Sequence, residues 1–152
     1  MIFRRATLAD IDELVECRLE MRLEREKGKM VIGIEEFRSK NYDYFKQHLP
    51  DDSFISWVAS DKDKIAAISG LCFYYAPPTF SDPSGTTAYI INIYTKPQYR
   101  RKGIAARLMG YIIQEAKSRG CGKITLHASD MGRPVYEKLG FKDANGDMEL
   151  YL

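Results

Sequence analysis

Apolar positions change their spacing several times along the chain, and each change marks an element. Ile2-Phe3-Arg4-Arg5-Ala6 alternates as a short strand does, and Thr7 with Asp10 forms a capping-box variant that opens a helix. Leu8, Ile11, Leu14 and Val15 recur at helical spacing and predict that this helix runs to about Gly28. Residues 29–33 read as a loop. A second helix is predicted over 34–49, with Phe37, Tyr44, Phe45 and His48 on one face and Pro50 ending it. Strand spacing then takes over in 53–59, and the turn Asp61-Lys62-Asp63-Lys64 returns the chain into 65–75 as a hairpin. Residues 76–87, carrying Pro77, Pro78, Pro83 and Gly85, read as a surface loop; 88–95 reads as a strand whose apolar richness gives it a central place. Ile104, Ala105, Leu108, Met109, Ile112, Ile113 and Ala116 then form one continuous stripe on a helix predicted over 101–119 and stopped by Gly120. A strand over 123–128, a short helix from Pro134 capped by Gly140, and a terminal hairpin of 141–144 and 147–151 about Asn145-Gly146 complete the order. Interleaved helices and strands with hairpins at both ends predict an α/β (α+β) fold, a mixed sheet covered by helices.

Composition narrows the function classes. The 152 residues suit one domain, and the 45% apolar and 29% charged fractions are those of an ordinary globular chain with no segment of bilayer-spanning length. Met1-Ile2-Phe3-Arg4-Arg5 lacks the pattern of a secretory signal, so a cytoplasmic location is the expectation. Cys17, Cys72 and Cys121 are widely spaced and read as small hydrophobes, and two histidines, His48 and His127, are too few for a zinc site; no metal is expected. A net charge of +2 is too small for a nucleic-acid footprint, yet Arg100, Arg101, Lys102 and Arg107 gather positive charge in one window.

That window carries the chemistry. From Asn92 through Ile93, Tyr94 and Thr95 a strand runs out, Lys96-Pro97-Gln98-Tyr99 turns, and Arg100-Arg101-Lys102-Gly103-Ile104-Ala105 starts the long helix. The first N–H groups of a helix have no partner within it, and the helix dipole adds roughly half a positive charge there, so the turn suits a phosphate. Gly103 permits close approach, Ala105 keeps the next position small, and Arg101 and Lys102 attract anionic oxygens. A nucleotide P-loop needs Gly-Lys followed by Ser or Thr, and a dinucleotide fingerprint needs a glycine triplet; neither is present. A basic helix start without a ligand is the other reading of the same residues.

Arg100-x-x-Gly103-x-Ala105 after a strand end containing Pro97 resembles the coenzyme A loop of the GCN5-related N-acetyltransferase (GNAT) family. Pro134-Val135-Tyr136-Glu137-Lys138-Leu139-Gly140-Phe141 resembles that family's late helix, in the right order and separation. The N-terminal third matches in pattern only. The resemblance implies a mostly antiparallel sheet whose central strands splay apart, and acetyl-CoA as acyl-donor substrate. It implies that backbone amides from Arg101 through Lys102, Gly103, Ile104 and Ala105 to Ala106 hold the pyrophosphate. It implies further that Ile93 and Thr95, flanking Tyr94, pair with the pantetheine arm, and that the Ile93 amide polarises the acetyl carbonyl. Tyr136 matches the family's acid for the departing thiolate; without the motif it reads as a packed aromatic.

Some expectations depart from the family. A glutamate used elsewhere as general base has Tyr89 in its place, so the base is unassigned; water held by groups such as Asn92, or an amine that arrives neutral, would serve. Ser129 replaces an asparagine that touches the coenzyme in many relatives. His127 is a candidate proton relay or a structural histidine, Trp57, Tyr74 and Tyr75 candidate walls of an acceptor pocket or core aromatics, and 76–87 a candidate lid or plain connection. The expected function is transfer of acetyl from acetyl-CoA to a primary amine, of a small molecule or peptide, by direct attack in a ternary complex. A non-catalytic acyl-CoA-sensing module and transfer of a larger acyl group are the alternatives. No nucleic acid or membrane partner is expected; family habit implies a homodimer.

Overall fold

A computed structural model describes residues 1–26, 30–144, 146 and 148–152. Its strands are β1 (Ile2–Arg5), β2 (Phe54–Ile55), β3 (Trp57–Asp61), β4 (Lys64–Tyr75), β5 (Thr86–Thr95) and β6 (Lys123–Leu126), and its helices α1 (Ile11–Arg25), α2 (Ile34–His48), α3 (Ile104–Ser118) and α4 (Arg133–Lys138). The six strands form one sheet in the order β1-β3-β4-β5-β6, with β2 also on β4; β5 and β6 are parallel and the other pairs antiparallel. The expected mixed, mostly antiparallel sheet is therefore present, with β5 inside it.

Each face of the sheet is covered because each helix has one apolar stripe. Leu14, Cys17 and Met21 of α1 and Phe45 of α2 pack with Phe54, Val58, Ile65 and Ile68 on one side. Met109, Ile112 and Ala116 of α3 and Tyr136 of α4 pack with Ile55, Leu71, Ala88 and Ile90 on the other. Ile104 and Leu108 extend that second layer over Ala59 and Ala67, whose small side chains let the helix approach closely.

Several boundaries differ from the sequence reading for identifiable reasons. A 3-10 turn, Leu8–Asp10, precedes α1; the Asp10 carboxylate accepts from the Thr7 amide at 2.7 Å and from both Arg4 Nη atoms at 2.7 and 2.8 Å, holding the chain there. α1 ends at Arg25, and the expected stop at Gly28 lies outside the described residues. The strand predicted over 53–59 breaks at Ser56, whose buried Oγ donates to the Ser69 carbonyl at 2.6 Å, while Ser69 Oγ donates to the Trp57 carbonyl at 2.9 Å. Lys62 and Asp63, at φ 46° and 65°, form the tight turn from β3 to β4. α3 starts at Ile104, three residues late, because Arg101 (φ 61°) and Gly103 (φ 73°) adopt left-handed conformations that a helix cannot include. The terminal hairpin is not formed by its described flanks: 141–144 and 148–152 carry no strand, and Asn145 and Asp147 lie outside the described residues.

Candidate active site

The site begins where a strand loses a neighbour. Pairing of β5 with β6 runs from Thr87 opposite Lys123 to Ile90 opposite Leu126 and stops, whereas β5 stays paired with β4 as far as Thr95 opposite Ala67. Between Ile90 and Thr95 the β4 register shifts by one residue, at Asn92, which sits at φ 59° and is 5% exposed. This bulge re-aims the rest of the strand. Lys96 donates its amide to the Ala66 carbonyl at 3.0 Å, so by strand alternation the backbone groups of Ile93 and Thr95 face away from β4, toward the gap.

The gap opens into a cleft of about 850 Å³. One wall is the loop and head of α3. Arg107 donates its amide to the Gly103 carbonyl at 3.1 Å, but the amides of Arg101, Lys102, Gly103, Ile104, Ala105 and Ala106 have no acceptor among the described residues. Left-handed turns at Arg101 and Gly103 curl this run into a concave nest of donors. A Cβ placed on Gly103 meets nothing within 4 Å, so the space above the nest is open to a ligand. The opposite wall is α4 and the turn before it, with Ser129, Gly132 and Tyr136.

Of the residues singled out from sequence, Ile93, Tyr94, Thr95, Arg100, Arg101, Gly103, Ile104, Ala105, Ala106, Ser129 and Tyr136 all line this cleft. Lys102 does not line it; its ammonium lies 5.5 Å from the Tyr99 ring centroid. Arg100 is braced: Nε donates to the Thr95 carbonyl at 2.9 Å, and Nη2 pairs with Glu24 at 2.7 Å. Tyr94 turns its ring into the α1 side of the core and donates its hydroxyl to Glu24 at 2.9 Å. Ser129 Oγ accepts from the Gly132 amide at 3.2 Å, fixing the turn that leads into α4.

Tyr136 is 6% exposed, and burial raises its pKa above the ordinary tyrosine value, with nearby Arg25 pulling the other way. The hydroxyl therefore keeps its proton at neutral pH. Gly132 makes the room it occupies, since a Cβ there would lie 2.8 Å from the ring. Burial pushes the Cys17 thiol up to about 12 and raises Cys72 and Cys121 as well, so the thiols are poor nucleophiles.

Glu24 and Arg25 belong to the cleft and were not singled out from sequence. Arg25 Nη2 donates to the Ile93 carbonyl at 3.1 Å. Their acidic and basic character on the flank of α1 reads as an ordinary solvated helix face; only the fold carries them to β5. Other candidates fall away from the cleft. His127 is exposed past the end of β6, and Trp57 donates to Glu115 at 2.9 Å while stacking on Tyr111 at 4.2 Å, on the α3 face. Tyr74 and Tyr75 are exposed at the far end of β4. The 76–87 loop docks on Gly122, which donates to Thr86 at 3.0 Å and Ser84 at 2.9 Å; it feeds the start of β5, away from Ile93, and is no lid for this cleft. Asn92 does not line the cleft and accepts from Arg18 through Oδ1. No group of residues suited to a metal ion occurs among the described residues, and no helix there is long and apolar enough to cross a membrane.

An interrupted parallel pair beside a helix head of bare amides, in a mixed sheet covered on both faces, defines an acyltransferase architecture. The chain belongs to the acetyltransferase (GNAT) family, whose model matches residues 16–141. A predicted acetyltransferase from Clostridium acetobutylicum, solved with acetyl-CoA, is similar over 99% of this chain and 95% of its own, at 35% identity and a TM-score of 0.88. A GCN5-related N-acetyltransferase from Ralstonia eutropha JMP134 is similar over 99% of this chain and 97% of its own, at 27% identity and a TM-score of 0.85. Among curated proteins, glucosamine 6-phosphate N-acetyltransferase of Trypanosoma brucei brucei is 32% identical over 49% of this chain and 51% of its own length. Thialysine N-epsilon-acetyltransferase of Bos taurus is 29% identical over 50% and 45%. The chain thus aligns with about half the length of these curated relatives.

Proposed function

We propose that this chain, as one acetyltransferase domain over 1–152, transfers the acetyl group of acetyl-CoA to a primary amine by direct attack in a ternary complex. The observation that carries this reading is the run of acceptorless amides from Arg101 to Ala106, opening on the same cleft as Ile93 and Tyr136. The nest takes the pyrophosphate, aided by the dipole of α3. The unpaired edge of β5 takes the pantetheine arm as an added strand. Because Arg25 and Arg100 already hold the Ile93 and Thr95 carbonyls, the amides of those residues are the groups free to pair with it.

A neutral amine attacks the thioester carbon, and the charge that develops on its oxygen is met by the Ile93 amide; one such donor is worth roughly 10²–10³-fold in rate. The carbon–sulfur bond then breaks, the Tyr136 hydroxyl gives its proton to the departing thiolate, and the proton shed by the new amide nitrogen passes through water to restore the Tyr136 hydroxyl. The raised thiol pKa values support direct attack over an acyl-cysteine route. Relatives named for glucosamine 6-phosphate and thialysine support an amine as acceptor. Release of free CoA from acetyl-CoA across a panel of amines tests the proposal; tight acetyl-CoA binding with no turnover on any amine would contradict it.

One observation favours a second reading. Glu24 is the carboxylate of the cleft, and it is held by Arg100 and Tyr94, so no free carboxylate base lines it among the described residues. A chain that binds acyl-CoA as a signal without transferring it fits that feature, and binding without product distinguishes it.

A further inference from the structure

We infer that the acceptor carries an anionic group, carboxylate or phosphate, and that Arg18 and Asn92 hold it; this rests on the amine-acetylation reading above and adds the class of amine. α1 carries Arg18 inward to where α1, α2 and β5 meet. There Nε donates to Asn41 Oδ1 at 2.7 Å and Nη1 donates to Asn92 Oδ1. Both partners are neutral carboxamides. Arg4, Arg5, Arg22, Arg38, Arg100, Arg119 and Arg133 each pair with a carboxylate; Arg18, Arg25, Arg101 and Arg107 pair with none among the described residues, and of these four Arg18 is the one that is not exposed.

A desolvated guanidinium without a counter-ion is costly, and tying two amide oxygens together needs N–H donors but no charge. Burial, with Arg22 nearby, depresses the pKa of Arg18, and the other groups around it are Cys72, Tyr44 and Tyr89. The charge is thus retained where the fold gains little from it.

Unused donors mark the direction from which an anion would come. Arg18 Nη2 and Asn92 Nδ2 have no acceptor among the described residues, yet neither is a buried unpartnered atom, a state held there by Ser60 Oγ alone. Neither is therefore fully sealed, and because Asn92 is only 5% exposed an anion would reach the pair from the half-buried Arg18 side. Asn92 is the bulge residue directly before Ile93, so this pair adjoins the strand position that faces the gap, although neither residue lines the cleft itself. Arg25, two turns along α1, adds a second cation at the Ile93 carbonyl, while Glu20 and Glu24 face Tyr94. The groups around Arg18 itself are uncharged or cationic, and the acids Glu20 and Glu24 are hydrogen-bonded to Tyr94, which suits an anionic amine over a polyamine.

The test is calorimetry of the CoA-saturated protein with matched pairs: amino acids, lysine and β-alanine among them, against their carboxamides, and phosphoethanolamine against ethanolamine. The anionic member of at least one pair is expected to bind about 10-fold tighter or more, the worth of about one hydrogen bond to a charged group. Which pair discriminates separates carboxylate from phosphate. Arg18→Gln, which keeps a donor for Asn41, is expected to erase the preference, and Arg18→Lys to keep part of it. Equal or tighter binding of the neutral partners, no binding of any pair by protein that binds CoA, or a preference surviving Arg18→Gln would each overturn the inference while leaving acetyl transfer standing. The wild-type comparison needs no variant to fold. Failure of CoA itself to bind would sink the underlying functional reading.

Discussion

Arg25 and Ile93, 68 residues apart in sequence, meet through a 3.1 Å hydrogen bond from Nη2 to the Ile93 carbonyl. The bond seals one acceptor on the open edge of β5. An added strand would otherwise use that acceptor, so Arg25 competes with the pantetheine arm, and Arg25→Ala is expected to lower the acetyl-CoA Kd a few-fold, the worth of about one net hydrogen bond. Calorimetry reads this directly. An unchanged or weaker Kd in the variant would contradict that competition.

Tyr136→Phe keeps the packing of a ring that is 6% exposed and removes only the proton. Turnover is expected to fall roughly 10²–10⁴-fold with little change in acetyl-CoA Kd. Because burial raises the Tyr136 pKa, the acid stays protonated to higher pH than an ordinary tyrosine. The pH–rate profile is therefore expected to rise as the amine loses its proton, and to show no loss attributable to Tyr136 until above the usual tyrosine range. Arg25→Ala removes the neighbouring positive charge and is expected to move that loss higher still. Stopped-flow or coupled thiol assays across pH check both.

Gly132→Ala tests whether Tyr136 must sit where it does. The new methyl would lie 2.8 Å from the ring and 2.9 Å from its hydroxyl, so the tyrosine must move. A fall in kcat larger than the change in acetyl-CoA Kd is expected; unchanged kcat would show that the ring position does not matter.

Much of this was legible in the sequence, and the parts that were not share a cause. The β5–loop–α3 unit could be read because its signals are local: a strand period, Pro97, a basic run, Gly103, then a long apolar stripe. The start of α3 was misjudged by three residues because periodicity does not report the left-handed backbone at Arg101 and Gly103. The break at Ser56 was invisible because its compensation comes from Ser69, on another strand. Arg18, Glu24 and Arg25 were missed for the same reason: each acquires its role from a residue about 70 positions away, on β5 or the loop after it. Asn145-Gly146 has the composition of a hairpin turn, yet its described flanks do not pair, since 148–152 contribute exposed apolar residues and no sheet partner.

The stability of the N-terminal junction gives an independent check on the fold. Asp10, its side chain 9% exposed, is held by Arg4 and by the Thr7 amide, and its pKa is lowered, chiefly through the Arg4 hydrogen bonds. A carboxylate with a depressed folded pKa stabilises above the ordinary carboxylate range near 4, and that contribution fades as pH falls through the folded value. Asp10→Ala is expected to cost about 1–2 kcal/mol at neutral pH, a cap plus a pair discounted for the 43% exposure of Arg4. Urea unfolding should show the gap between wild type and variant narrowing toward low pH; a constant gap would assign the effect to packing instead.

The central claim is that bare amides at the head of α3 hold the diphosphate of acetyl-CoA, and Gly103 is the position to probe. A side chain there meets no protein atom within 4 Å, so Gly103→Glu loses stability only through its left-handed backbone, at φ 73°, while placing a carboxylate in the nest. Isothermal calorimetry of acetyl-CoA against wild type and Gly103→Glu, with folding of both verified by thermal melting, is the most direct measurement. The expected result is saturable binding by the wild type and none by the folded variant. Equal affinity in the two, or no heat from the wild type, would contradict the account.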